Sequence, residues 1–323
     1  MRRPRRGYSR RRGGLLSRLG ARLPILLIGL AGLAIYWFSN QQTVPFSDRK
    51  QLVTIPIEQA SQMGLQSYAQ ILRQEGRNVL CLEGGQCPQG APEVVAEVRE
   101  IGERLEAAAI QLEDELLAEG YRFTPVARDF DWQYNVMVSD QPNAFCLPGG
   151  YVAVYTKIMD VSGDNNGTFQ PAHDLADVNK LAVIMGHEIG HALAHHGAER
   201  MSQQKIAQIG QTAIGLGAGG GAEGQAIMQA FGMAAQGGIL KFSREHETEA
   251  DKIGLDLLVR ACYDPRQAPE LWERMGELGG GQRPPEWMST HPASETRAEN
   301  FRRWMPEAVA YYERNCTSSN GSF

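Results

Sequence analysis

The chain has 323 residues, enough for one sizeable domain plus appendages. Its first 22 positions hold nine arginines and no acid, which leaves 23 basic against 37 acidic residues, a net of −14, in the remainder. Such a split is an address rather than a property of the fold, and the apolar stretch that follows argues against a nucleic-acid-binding arm.

That stretch, residues 23–38 (LPILLIGLAGLAIYWF), is uncharged, and no charge appears until Asp48. As a helix it spans about 24 Å, slightly short of the hydrocarbon core. The uncharged Ser39 to Gln42 and a snorkelling Arg22 make up the difference, and Tyr36 and Trp37 sit where an interfacial aromatic belt forms. No small-x-small cleavage site closes the segment. The expected arrangement is an arginine-rich cytoplasmic arm (1–22), an uncleaved transmembrane anchor (23–42) and an exported remainder. That places the protein in the inner (cytoplasmic) membrane; a mitochondrial inner membrane is the alternative, since an arginine-rich, acid-free start also fits a presequence.

Residues 43–91 read as a connecting region of weak periodicity. Cys81 and Cys87 flank a glycine turn and suit a small bridged loop in an oxidising compartment. Cys262 and Cys316 form a second possible pair, leaving Cys146 odd. From Pro92 to Gly120, apolar residues recur near 3.6 spacing (Val94, Val98, Ile101, Leu105, Leu112, Leu116), which predicts one long helix. Trp132 to Val138 alternates as a strand, and Gly149-Gly150 turns into a second one, Tyr151 to Tyr155. The expectation is a short antiparallel sheet.

Gly186-His187-Glu188-Ile189-Gly190-His191 carries the chemistry. On a helix the i and i+4 side chains lie about 40° apart, so His187 and His191 can reach one metal ion while Glu188 points at a water on it. Zinc enzymes use a third protein ligand. A metzincin would place glycine and histidine where this chain has Ala194 and Gly197, which excludes that class. His195 reads as a polar surface position, and His196 as a local cap or hydrogen-bonding group. Residues 210–238 hold ten glycines and one charge, Glu223, and read as a broken helical hairpin that covers the cleft or as a loop.

Next comes Ser243-Arg-Glu-His-Glu-Thr-Glu-Ala-Asp251, an amphipathic helix by its following Ile253, Leu257 and Leu258. Glu247 and Asp251 share a face at i and i+4. Glu247 can ligate a metal and Asp251 can accept the free ring N–H of a ligand histidine; a solvated acidic face is the other reading. Glu245 and Glu249 project about 200° away from Glu247 and are expected to leave metal binding alone. A helix over 268–278, a loop over 279–285, His291, a last helix through Trp304 and Tyr311, and a disordered tail (314–323) complete the chain.

Four stretches together resemble one family: Asn143-Ala-Phe-Cys-Leu-Pro-Gly-Gly150, the His-Glu-Ile-Gly-His helix running on to Gly197-Ala-Glu-Arg200, Glu247 with Asp251, and Ser289-Thr-His291-Pro292 with Arg297. In order and spacing they are similar to the membrane-associated gluzincin peptidases of the BepA and LoiP type, relatives of the mitochondrial OMA protease, of HtpX and of the type II CAAX prenyl protease. The resemblance implies a mainly helical α+β, zincin-like metallopeptidase domain over residues 92–313, with the small sheet beside the metal helix and one transmembrane helix before it. It implies one Zn2+ per chain held by His187, His191 and Glu247, with Glu188 as base, and it places His291 and Arg297 in the pocket. A polypeptide substrate would add to a sheet edge at Asn143, Ala144 and Phe145 by main-chain hydrogen bonds. The implied activity is endoproteolysis of misfolded or membrane-adjacent exported proteins; a mostly latent protease acting as a holdase-like factor is the alternative.

Overall fold

The computed structural model describes residues 27–29, 31–44, 46–47, 49–76, 78–81, 87, 91–162, 177–218, 244–278, 291 and 295–317. The chain divides into two compact units: Met1–Gln41 with Gln204–Gly237, and Gln42–Gln203 with Gly238–Phe323. In the first, residues 27–29 and 31–39 are helical and expose Leu27, Ile28, Ile35 and Phe38. No helix among the described residues is long and apolar enough to cross a membrane; residues 1–26 and 30 of the expected arm and anchor lie outside them.

The second unit is built mainly of helices around small sheets. Short strands β1 (Gln41–Thr43) and β2 (Lys50–Leu52) pair at its start, followed by α1 (Ile57–Gln74) and the long α2 (Ala91–Ala118). Strands β3 (Gln133–Met137), β4 (Ala144–Leu147) and β5 (Tyr151–Tyr155) form a three-stranded sheet in the order β3-β5-β4. Then come α3 (Thr156–Ser162), α4 (Val178–Leu193), the start of α5 (His196–Ala218, whose residues from 204 on belong to the first unit), α6 over residues 244–260, α7 (Gln267–Leu278) and α8 (Glu295–Tyr312).

The sheet corrects the antiparallel expectation. β3 runs parallel to β5, from Gln133 opposite Tyr151 to Met137 opposite Tyr155. The hairpin partner of β5 is instead β4, which pairs with it antiparallel through the turn at Gly149 and Gly150, both at positive φ. With β4 between them in sequence, the chain reverses twice, so β3 and β5 point the same way.

Because strand side chains alternate, each face of the sheet has its own partner. Val136, Ala144, Val152 and Val154 join the main core with α2, α4 and α6. Met137, Tyr151 and Ala153 form a second cluster with Tyr68 of α1. The Tyr68 hydroxyl donates to the Val152 carbonyl at 2.7 Å.

Helix α1 lies in the stretch expected to be a connector. Its buried positions are Ala60, Gly64 and Tyr68, a stripe at helical spacing with little hydropathy. Gly64 is where α1 meets the β4–β5 turn: a Cβ there would sit 1.9 Å from the Pro148 carbonyl oxygen.

Disulfides join Cys81 to Cys87 and Cys262 to Cys316, and Cys146 is unpaired. The second bridge ties the end of α6 to the π-helical Glu313–Thr317 after α8; residues 318–323 of the expected tail lie outside the described residues. Of the glycine-rich stretch, residues 210–218 continue α5; residues 219–238, where a hairpin or cover was expected, lie outside the described residues, as does the loop over 279–285.

Candidate metal centre

Helix α4 is buried on nearly all sides, as its apolar run Leu181 to Met185 requires. Asp177 caps it, accepting from the backbone N–H of Asn179 and of Lys180, which satisfies two donors that a helix start leaves unpaired. Helix α6 crosses it at close range. A Cβ on Gly190 would lie 2.9 Å from the Ala250 carbonyl oxygen, and one on Gly254 would lie 2.9 Å from the His187 nitrogen. Glycine is therefore needed on both helices, and the approach sets Glu247 and Asp251 against the two histidines.

Four donors converge there. His187 Nε2 lies 3.2 Å from His191 Nε2, and the Glu247 carboxylate lies 3.3 Å from each of these atoms. His291 Nδ1 stands 3.3 Å from His187 Nε2 and 3.1 Å from Glu247 Oε1. All four residues are buried, and their ligand atoms lie within 4.8 Å of one another. A tetrahedral site with metal–ligand bonds of about 2.0–2.1 Å has edges of about 3.3–3.4 Å. With Glu247 Oε1 as the donor atom, four of the six donor separations, 3.1–3.3 Å, come close to that, so the donor set fits a tetrahedral ion. Three carboxyl side chains (Glu188, Glu247, Asp251) face one guanidinium, Arg297, so a divalent cation would also balance the buried charge.

Around the donors the partners are equally specific. Asp251 Oδ1 lies 2.9 Å from His187 Nδ1, and Arg297 donates to both Asp251 oxygens at 2.7 Å. Arg297 also approaches Glu247 Oε2 at 3.1 Å and lies 3.8 Å over the Trp272 ring, a cation–π contact. Burial opposes the charged form of His187, but hydrogen bonds to Asp251 and Glu247 outweigh it and push its pKa up to about 9. Burial dominates at His191 and takes it down to about 3. Burial would raise Glu247, yet the facing His191 and His187 hold it well below the usual carboxylate range. Asp251 is likewise lowered against burial, chiefly by Arg297.

Glu188 is buried beside the donors and lies 3.6 Å from His291 Nε2. Thus α4, α6, His291 and the start of α8 bring together all seven side chains read from the motifs. Asn143, Ala144 and Phe145 are not among the donors. β4 is an outer strand of its sheet, and it packs against α4. The Asn143 carbonyl accepts from the Tyr155 N–H at 3.0 Å, and the Phe145 ring faces Tyr68. A cavity of about 90 Å³ between α1, the β4–β5 turn and α4 is lined by Ser61, Cys146, Pro148, His191 and His195.

One histidine corrects the sequence reading. His195, expected at the surface, is buried, and burial lowers its pKa to about 4. Its φ of 59° ends α4, so the chain does not continue up one helix and His196 folds back onto His191. Glu249, expected to point away from the metal side, joins that contact through His196. Trp272 and Arg49 also belong to the site's surroundings, and nothing in their local sequence signals it.

Residues 106–305 match the model for peptidase family M48. The chain belongs to this family and is a metalloendopeptidase. It is similar to the mitochondrial metalloendopeptidase OMA1 of Saccharomyces cerevisiae, with 28% identity over 319 residues, 96% of this chain and 81% of the relative. Its similarity to OMA1 of Arabidopsis thaliana is 36% over 185 residues, 55% of this chain and 33% of that protein. With the beta-barrel assembly-enhancing protease of Escherichia coli strain K12 it shares 30% identity over 175 residues, 51% of this chain and 32% of the relative.

Proposed function

We propose that the protein is a membrane-anchored, zinc-dependent endopeptidase that hydrolyses misfolded or membrane-adjacent exported polypeptides. The observation that carries this reading is the set of 3.1–3.3 Å separations among His187, His191, Glu247 and His291. His187, His191 and Glu247 would hold the ion, one per chain. When bound, zinc lowers the pKa of a water toward neutrality and polarises a scissile carbonyl. Glu188 Oε takes the proton of the attacking water and later delivers it to the leaving amine. Asp251 accepts a hydrogen bond from the His187 Nδ1–H and so keeps Nε2 free as a ligand. Arg297 neutralises Asp251 and fixes its plane.

The outer edge of β4 at Asn143, Ala144 and Phe145 is the place for an extended peptide. Recognition there uses backbone groups, which suits substrates that share unfoldedness rather than sequence. The peptidase domain would span residues 92–313, with an anchor over 23–42 and the arginine arm on the cytoplasmic side of the inner membrane. The exposed Leu27, Ile28, Ile35 and Phe38 favour a lipid-facing helix. A mitochondrial inner membrane is the alternative, favoured by relatives named as mitochondrial.

A second reading, a mostly latent protease that acts as a holdase-like factor, is favoured by one residue. His291 Nδ1 takes the fourth place around the donors and its Nε2 faces Glu188, which would exclude a catalytic water and hold the enzyme shut. The test is cleavage of casein with and without a chelator, in wild type and in His291→Ala at equal zinc content. Chelator-sensitive cleavage that is faster in His291→Ala supports a latched protease. A rate about 10²–10³-fold slower assigns His291 to oxyanion stabilisation. Chelator-insensitive cleavage overturns the metal reading.

A further inference from the structure

Each of the two histidines of the zinc-binding helix leaves one ring nitrogen facing away from the other donors, and the two are treated differently. His187 Nδ1 meets a carboxylate directly, Asp251 at 2.9 Å. His191 Nδ1 meets another imidazole, His196 Nδ1 at 2.8 Å. His196 Nε2 in turn lies 3.0 Å from Glu249 Oε2.

If His191 presents Nε2 to a metal, its proton is on Nδ1. Only one of two nitrogens 2.8 Å apart can carry the hydrogen, so His196 Nδ1 is the acceptor and its own proton is on Nε2, donated to Glu249. Every proton along the chain is then assigned. We propose that His196 is a positioning residue for the metal: it fixes the tautomer and ring plane of His191, with Glu249 as the terminal acceptor. This rests on the reading of His191 as a zinc ligand.

The rest of the surroundings is built to keep His196 in that pose. It is fully buried and stacks on His246, with ring centroids 4.2 Å apart and planes 15° apart. Arg49, on the loop between β1 and β2, donates Nε to both Glu249 oxygens at 3.0 and 2.9 Å. Its Nη1 and Nη2 reach Glu199 at 3.1 and 2.9 Å, and Glu199 Oε2 lies 2.9 Å from His246 Nε2. Arg49 thus ties together the carboxylates that hold both stacked rings. A segment that reads as a connector in the sequence reaches the metal through Glu249, His196 and His191.

The test compares His196→Asn with His196→Leu in the full-length protein. Asn and Leu have nearly the same shape, but Asn keeps an oxygen where Nδ1 stood and Leu does not. Zinc affinity is read by competition with a chromophoric chelator, and ligand geometry by the visible spectrum of the Co2+ form. Leu is expected to weaken zinc binding by about 10–100-fold, as for other lost partners of a ligand histidine, and to change the Co2+ spectrum. Asn recovers most of the loss, while the metal-free melting temperatures of the two variants agree. Wild-type affinity in the Leu variant, or equal losses in both, overturns the proposal. If neither variant folds, Glu249→Ala decides at a partly exposed position: weaker zinc binding supports the chain of contacts, and unchanged binding overturns it. His191→Ala is the control for the underlying reading; zinc affinity unaffected there removes His191 from the metal, whatever His196 does.

Discussion

Asp251 binds two partners that could not otherwise share a buried site: the His187 ring at 2.9 Å and the Arg297 guanidinium at 2.7 Å. The carboxylate stands between them and fixes both. Truncation in Asp251→Ala therefore lowers zinc affinity by about 10–100-fold, whereas Glu245→Ala leaves it unchanged. Competition titrations with a chelator measure both. Equal losses would show that the acids of α6 act collectively.

Arg297 has the opposite problem, a buried charge whose main neighbours are Asp251 and Glu247. Removing it in Arg297→Met leaves Asp251 and Glu247 with the His187 ring but without their guanidinium partner, and breaking such a buried pair costs about 3–5 kcal/mol. Denaturant unfolding of the metal-free protein should show a loss of that size. A loss under about 1 kcal/mol would mean that water reaches the pair and that it behaves as an exposed one.

The pH dependence of metal binding follows from the two histidines. His187 in the metal-free protein has its pKa raised from 6.5 to about 9, and His191 has its pKa lowered to about 3. His187 thus stabilises the metal-free fold fully below about pH 6.5, and that contribution is lost as pH rises through 9. At pH 7.5 His187 carries a proton that a metal must displace, while His191 carries none. Calorimetric zinc titration in buffers of different ionisation enthalpy should show release of about one proton. Affinity should rise about tenfold per pH unit up to pH 9 and then level off. Release of no proton would place the His187 pKa near or below neutrality.

Much of the site was legible because helical spacing does geometric work. His187 with His191 and Glu247 with Asp251 are both i and i+4 pairs, so their faces follow from the sequence. Their mutual approach depends on Gly190 and Gly254, whose role appears only once the helices cross. The His196 network was not legible: it needs a left-handed residue at His195, a position with no glycine to signal it. Helix α1 escaped because its buried face is made of Ala60 and Gly64, and the parallel pairing of β3 with β5 because a strand pattern does not state its direction.

The close crossing yields its own prediction. Gly190→Ala pushes a methyl group to 2.9 Å from the Ala250 carbonyl, and backbone on that side cannot swing away as a side chain would. The helices must part, with a cost of about 1–3 kcal/mol typical of overpacking and a weaker hold on zinc, since Glu247 moves with α6. Thermal unfolding with and without zinc separates the two effects. Unchanged stability and zinc affinity would mean that the helices have slack at this crossing.

The most direct test of the catalytic assignment is Glu188→Gln. The side chain keeps its size and loses only the ability to take a proton. Purified full-length protein should contain one zinc per chain in both forms by elemental analysis, and the variant should cleave no casein, even combined with His291→Ala. Retained turnover at full zinc content would contradict the role of Glu188 as the base, and loss of zinc in the variant would contradict its placement outside the ligand set.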